Sequence, residues 1–285
     1  MPQIGKYCTS EKDEPMLRSE AGRLKRVVVS TPWNEYYRVV NLQAHNILDV
    51  ANQKLALEQH DNLKEILRHF SSDVVDLPEL KDHPNSVFTR DAALCTPEGY
   101  IELRPGIETR LAEGSWMASA LNHLGEPGAG KIEFPGTVDG GDVLLLDQVA
   151  YIGLSKRTNP EGCLQLSYFL EKMGYEIRKV SLPDLVLHLD KVLMPVGDDR
   201  LLVCTDIVHR DILRGFDIIG ISFSNNSSAN IICLGDGELI VGATNQGAID
   251  ALDRNEFNLH LINVSEFVKG SGGPNCLIMP VEREF

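Results

Sequence analysis

Five times along this chain, a pair of short apolar strands, a helical or looped stretch and a further strand follow one another in units of about 50 residues. The first pass opens on the strand-like "RLKRVVVST". Leu63, Ile66, Leu67 and Phe70 then fall at 0, 3, 4 and 7, which predicts one face of a helix, and "DVVDLP" reads as the strand after it. "VFTRDAALCTPEGYIELRPG" predicts two strands around Pro97-Glu98-Gly99, followed by the helix-like "RLAEGSWMASALNHLG" and by "KIEFPG". The hairpin "GGDVLLLDQVAYIGLS" comes next. Leu166, Phe169, Leu170 and Met173 repeat the helical spacing, and "YEIRKVSLP" closes the unit. "KVLMPVGDDRLLVC" turns at Gly197-Asp198-Asp199 and leads through "DIVHRDILRGF" to "DIIGISF". "ANIICLGDGELIVGA" turns at Asp236-Gly237 and leads through "TNQGAIDALDRNEF" to "NLHLINVS" and "NCLIMPV".

The units do not match residue by residue, so what repeats is shape. Repeated units with one buried strand each predict a closed, ring-like α/β assembly, with an open doubly wound sheet as the competing arrangement. The glycine pairs Gly140-Gly141 and Gly272-Gly273 do not form a GxGxxG after a strand, so dinucleotide binding is unsupported. No linker or low-complexity tract divides the sequence. The charged residues 1–22 read as a tail and residues 23–285 as one domain.

With 285 residues, 43% hydrophobic and 24% charged, the chain has material for a large core. A formal net charge of −14 argues against nucleic acid or an anionic membrane and suits a cationic ligand. Six scattered cysteines, none in CxxC spacing, predict no zinc site. The polar N-terminus and the lack of an 18-residue apolar run predict neither secretion nor a membrane span, and free thiols then point to a reducing cytoplasm.

Four polar clusters interrupt the apolar strands: "NSVFTRDAA", "VDGGDVLLL", "LHLDKVL" and "GGPNCLIMP". Each has a plain explanation. Cys276 could be a core residue, "DGGD" a tight turn, "FTRD" a surface ion pair, and Asp190 of "HLD" a turn cap. Their recurrence in successive units is what singles them out. In a ring, equivalent strand ends converge, which would bring Asp91, Asp139, His188, Asp190 and Cys276 into one pocket. A thiolate is a strong nucleophile, and a histidine passes protons both ways near neutral pH. Buried carboxylates need cationic partners, and a guanidinium matches them with paired, charge-assisted hydrogen bonds. The set therefore suits a planar cationic substrate. His45, His60, His69, His83, His123, His209 and His260 show no partner pattern and read as surface or packing residues.

These motifs resemble the guanidino-group-modifying enzymes: dimethylarginine dimethylaminohydrolases, arginine deiminases and amidinotransferases. The resemblance covers about residues 23–285. "VDGGDVLLLDQVAYIGLSKRTNPEG" and "FTRDAALCTPEGYIELRPGIETR" are similar to the dimethylarginine branch. "NSVFTRD", "HLD" and "GGPNCLIMP" are similar to arginine deiminases. The resemblance implies a five-bladed α/β propeller with fivefold pseudosymmetry, the pentein fold. It implies Cys276 as nucleophile, His188 as general acid and base, and Asp139 in the acidic position beside the histidine, where many relatives have glutamate. Asp91 and Asp190 would bind guanidinium nitrogens, and Arg110 and Arg157 the substrate carboxylate. Asn85 and Phe88 of the first motif would complete the contacts. Residues 39–53 would form a lid or a plain surface loop.

The implied reaction is hydrolysis of a small cationic amino acid, arginine or an Nω-methylated arginine. It gives citrulline plus ammonia or (di)methylamine through a covalent S-alkylthiouronium intermediate, and needs no metal or other cofactor. Two carboxylates would favour unmethylated nitrogens, so arginine is slightly preferred. Against this, the chain has no room for the helical insertion of arginine deiminases. A dimethylarginine hydrolase, an amidinotransferase, a non-catalytic propeller binding protein and assembly into a homo-oligomer all stay open.

Overall fold

A computed structural model describes residues 17–70 and 73–284. Among them, five three-stranded sheets form the blades of an α/β propeller, and each has the same plan. A middle strand pairs antiparallel with one neighbour, its hairpin partner in four of the blades, and parallel with the strand returning after the crossover on the other side. A parallel return cannot be made by a tight turn, so each blade needs the intervening stretch that the sequence supplies.

The first blade joins sequence-distant strands. β1 (Arg23–Ser30) lies between β2 (Asp73–Leu77) and the late strand that closes the ring. The second holds β3 (Ala93–Thr96), β4 (Gly99–Glu102) and β5 (Gly128–Lys131). The third holds β6 (Val143–Leu146), β7 (Val149–Leu154) and β8 (Glu176–Ser181). The fourth holds β9 (Leu193–Gly197), β10 (Arg200–Cys204) and β11 (Asp217–Ile221). The fifth holds β12 (Ile232–Gly235), β13 (Glu238–Gly242) and β14 (Asn258–Ile262). β15 (Met279–Glu284) then pairs with β1, from Arg23 opposite Glu284 to Val28 opposite Met279.

The helices lie where the spacing predicts them. α1 (Gln53–His69) buries Leu63 and Leu67, with Ile66 half-buried beside them. α3 (Pro160–Lys172) buries Leu166 and Leu170. Asn52 caps α1 by accepting from the Leu55 N–H, and Asn159 caps α3 by accepting from Gly162, with Pro160 pre-set at the first helical position. α2 (Leu111–His123) and α4 (Gln246–Asp253) make the second and fifth crossovers, and the short α5 (Ser265–Val268) follows β14. The fourth unit crosses over with a 3₁₀ turn at Arg210–Leu213 and no α-helix. The fifth-blade hairpin turns at Asp236 and Gly237, both at positive φ, as a two-residue hairpin requires.

Of the segment read as a tail, Leu17, Ser19, Glu20 and Ala21 are buried against the body, and residues 1–16 lie outside the described residues. The five cysteines among the described residues are free and buried; Cys8 lies outside them. No helix among the described residues is long and apolar enough to cross a membrane.

The placement of turns matters most for function. A 3₁₀ turn precedes the inner strand of four blades: Thr89–Asp91 before β3, Gly140–Asp142 before β6, Leu189–Lys191 before β9 and Pro274–Leu277 before β15. The buried run 228–231 enters β12 in the fifth. These turns abut one another, so residues far apart in sequence meet at one end of the ring.

Candidate active site

A narrow crevice of about 20 Å³ opens where the turns meet. Asn85, Phe88, Asp91, Arg110, Arg157, His188 and Cys276 all border it. Asp139 and Asp190 do not border it, but Asp139 bonds to His188 and Asp190 Oδ2 stands 3.8 Å from the Cys276 sulphur, both of which do. All nine residues singled out by the sequence are therefore gathered at one place, and all nine are buried.

His188 precedes the third of these turns in extended backbone. Its Nε2 lies 2.9 Å from Asp139 Oδ2, and its Nδ1, which makes no hydrogen bond, is 3.9 Å from Asp91 Oδ1. Asp139 also accepts from the Gly106 N–H at 2.7 Å and from Arg157 Nη1 at 3.3 Å. Asp91 accepts from Arg110 Nη1 at 2.6 Å and from the Gly141 N–H at 3.0 Å. The "DGG" of the motif is explained here. A Cβ on Gly141 would stand 2.8 Å from His188 Nδ1 and 3.1 Å from Asp91 Oδ1, so only glycine lets the turn pass between the two.

Burial alone would neutralise these carboxylates. The cations beside them outweigh it: His188 and Arg110 hold Asp91 far below the usual carboxylate range, and the His188 bond and Arg157 hold Asp139 below it. Arg110 is anchored on three sides, by Asp91, by Glu113 at 2.6 Å and by the Phe88 carbonyl at 2.9 Å, so it presents a fixed cation to the crevice. Arg90, beside Asp91 in sequence, is a buried partner of Glu20 at 2.6 Å and not a surface ion pair.

Burial also opposes the His188 imidazolium. Asp91, the bond to Asp139 and the charge of Asp142 prevail and hold the ring's pKa above its ordinary 6.5. The folded state thus binds this proton more tightly than the unfolded chain. The stabilisation is fully present below about pH 6.5 and is lost as the pH rises through the folded value. In urea melts, the stability difference between wild type and His188→Asn is expected to be largest in that acid range and to shrink on the alkaline side. A difference that grows with pH would contradict this.

Cys276 lies in the turn before β15. The Gly273 N–H donates to its sulphur at 3.4 Å, and a Cβ on Gly273 would collide with Asn230 Oδ1. Asn230 Nδ2 is 3.7 Å from the sulphur and Asp190 Oδ2 is 3.8 Å away. Lys191, wholly buried, places Nζ 2.7 Å from it. Burial pushes the thiol up to about 11, and Lys191 is the largest influence pulling it back.

Three residues at or beside the crevice escaped the sequence reading. Lys191 carries the same signal as Asp190, a charge where "LHLDKVL" otherwise predicts core. Asn230 is the fifth unit's counterpart of the other turn residues. His45, read as surface or packing, borders the crevice, and its Nδ1 lies 3.2 Å from Asn85 Oδ1. Asn85 Nδ2 in turn donates to the His45 carbonyl at 3.1 Å, so the segment 39–53 contributes to the wall.

Asp91, Asp139 and His188 each offer one atom within 4.8 Å of the others, a spacing open to a metal ion. Their charge is already compensated by Arg110 and Arg157, which a cation would have to displace. The set fits a carboxylate-steadied imidazole that shares a crevice with a sulphur better than a metal centre.

Residues 33–283 match the family model described as "N,N dimethylarginine dimethylhydrolase, eukaryotic". The chain belongs to this family. It is 32% identical over 222 residues to the N(G),N(G)-dimethylarginine dimethylaminohydrolase of Pseudomonas aeruginosa, covering 78% of this chain and 87% of that one. The Streptomyces coelicolor enzyme of the same name is 30% identical, with 83% and 90% covered. A solved structure of the Pseudomonas aeruginosa enzyme, a mutant complexed with citrulline, superposes with a TM-score of 0.80 at 29% identity over 90% of this chain and 99% of that one. Membership makes this family member a guanidino-group hydrolase of the pentein type, acting on C–N bonds of amidines.

Proposed function

We propose that the chain hydrolyses the guanidinium group of an Nω-methylated free arginine, releasing citrulline and methylamine or dimethylamine. One observation carries the reading: a single crevice is bordered by a sulphur, an imidazole, a carboxylate and two fixed guanidinium groups, those of Cys276, His188, Asp91, Arg110 and Arg157. The carboxylate suits the cationic end of the substrate. Arg157 and Arg110 suit its α-carboxylate, and Asn85 and Phe88 line the path between.

The steps follow from the parts. The Cys276 thiolate attacks the guanidinium carbon, and the C–N bond to the methylated nitrogen breaks as His188 gives that nitrogen a proton. A thiouronium ester remains on sulphur. His188 then takes a proton from water, the resulting hydroxide adds to the same carbon, and the C–S bond breaks as the hydroxyl proton passes to the departing sulphur, releasing citrulline. Asp139 keeps the imidazole oriented throughout.

The leaving group turns on Asp190. A second carboxylate facing the substrate would favour unmethylated arginine. Asp190 does not border the crevice. Its Oδ2 accepts from Asn275 Nδ2 at 3.1 Å and its Oδ1 faces Lys191 Nζ at 3.4 Å. With that acid engaged, the methylated substrate is favoured. Arginine is the second reading, supported by Asp190 Oδ1, which accepts no hydrogen bond and leaves an acceptor for one more N–H.

The test is to incubate the protein separately with arginine, monomethylarginine, asymmetric dimethylarginine and agmatine, and to measure ureido product and released amine. Citrulline from the methylated forms at ten or more times the rate with arginine is the expected result. Citrulline from arginine alone would reverse the preference. Turnover of agmatine at an equal rate would remove the roles of Arg110 and Arg157. No ureido product from any of them would overturn the reading.

A further inference from the structure

The surroundings of the Cys276 sulphur are unusual for a thiol. Three donors converge on it: Lys191 Nζ at 2.7 Å, the Gly273 N–H at 3.4 Å and Asn230 Nδ2 at 3.7 Å. One acceptor, Asp190 Oδ2, stands within reach at 3.8 Å. A thiol is a weak acceptor with a single proton to give, so this arrangement suits a sulphur that becomes anionic. The Lys191 ammonium also faces the other oxygen of the same aspartate, Asp190 Oδ1, at 3.4 Å. One buried cation is thus shared by two groups that can each carry the negative charge.

We propose that Lys191 is a catalytic cation that lets the Cys276 proton pass to Asp190 inside a triad of constant charge. The S–H bond breaks with its electron pair staying on sulphur, and an O–H bond forms at Asp190 Oδ2. Thiol, carboxylate and ammonium become thiolate, carboxylic acid and ammonium, with a net charge of zero before and after. This avoids the main obstacle to ionisation at a buried site. Burial resists loss of the proton to solvent, and an internal transfer loses none.

The other charged groups facing the triad are fixed. Asp91 acts on both Cys276 and Lys191, and is held by Arg110. Arg90 faces Asp190 and Asp91, and is held by Glu20. His188 and Arg157 border the same crevice and are tied to Asp139. Asn275 and Asn230 are neutral. The ammonium of Lys191 is favoured in spite of burial because Asp190 and Cys276 oppose it.

This inference rests on Cys276 being the nucleophile, and its test uses no substrate, so its failure is separate from a failure of turnover. Substrate-free protein is treated with iodoacetamide, a neutral alkylating reagent, and modification at Cys276 is followed by peptide mass spectrometry. If the thiolate arises by internal transfer, the wild-type rate should change less than about threefold between about pH 6 and about pH 9. In Lys191→Met and in Asp190→Asn the rate should climb about tenfold per pH unit, as for a thiol titrating against solvent, and Lys191→Met should be at least about thirtyfold slower at neutral pH. A wild-type rate that climbs tenfold per unit overturns the proposal without any variant, which decides the matter even if Lys191→Met does not fold. A level profile in folded Lys191→Met overturns it as well.

Discussion

Cys276→Ser is expected to lower turnover at least about 10⁴-fold while leaving the fold in place. The substitution replaces sulphur with a smaller atom at a site 5% exposed, so packing changes little. What changes is nucleophilicity. The serine hydroxyl ionises far less readily than a thiol, and the setting offers a cation, Lys191, and two N–H donors that assist an anion only once it forms. Intact mass measured during turnover should show a thiouronium adduct on the wild type and none on the variant. Circular dichroism and the melting temperature should match. A variant retaining a tenth of the wild-type rate would remove Cys276 from the chemistry.

Arg110→Met is expected to destabilise the protein by about 3–5 kcal/mol, because it strips one partner from a buried ion cluster. Asp91 would lose its 2.6 Å bond, Glu113 a 2.6 Å pair and the Phe88 carbonyl its donor, all at residues at most 4% exposed. Two carboxylates would then share one buried volume with His188 as the nearest compensation. Burial already pushes Glu113 above the usual carboxylate range. Adding Glu113→Gln to Arg110→Met should therefore recover part of the loss, a coupling that a double-mutant cycle in urea measures. A single-variant loss under about 1 kcal/mol would show that the cluster is not held by this guanidinium.

The repetition was readable because it lies in local pattern. Alternating apolar runs, the spacing of Leu63 and Leu67, and the Asp236-Gly237 turn are fixed by neighbours a few residues away. The site was readable to the extent that it breaks this pattern. Asp91, Asp139, His188 and Cys276 stand where strand-flanking positions should be apolar, and the structure sets them in or immediately before the turns entering the inner strands. What spacing could not reveal is pairing across the ring. Lys191 meets Cys276 across 85 residues, Asn230 meets it across 46, and Arg90 meets Glu20 across 70. From sequence, Lys191 is one more charge beside Asp190, and "FTRD" reads as a surface pair. Only a closed ring makes each of them a neighbour of the sulphur or of Asp91. The partners of Asp190 were hidden for the same reason: they are Asn275, from the far side of the chain, and Lys191.

The seam of the propeller has a consequence for the chemistry. Four blades are knitted from strands that follow one another, but the first is completed by β15 zipping onto β1, with Arg23 set against Glu284. The turn bearing Cys276 runs directly into that zipper. Fraying of the seam would withdraw the thiol from its imidazole while the other four blades kept their pairing. Loss of reactivity should then precede loss of secondary structure as the protein is pushed towards unfolding, which makes the sulphur a reporter on whether the ring is shut.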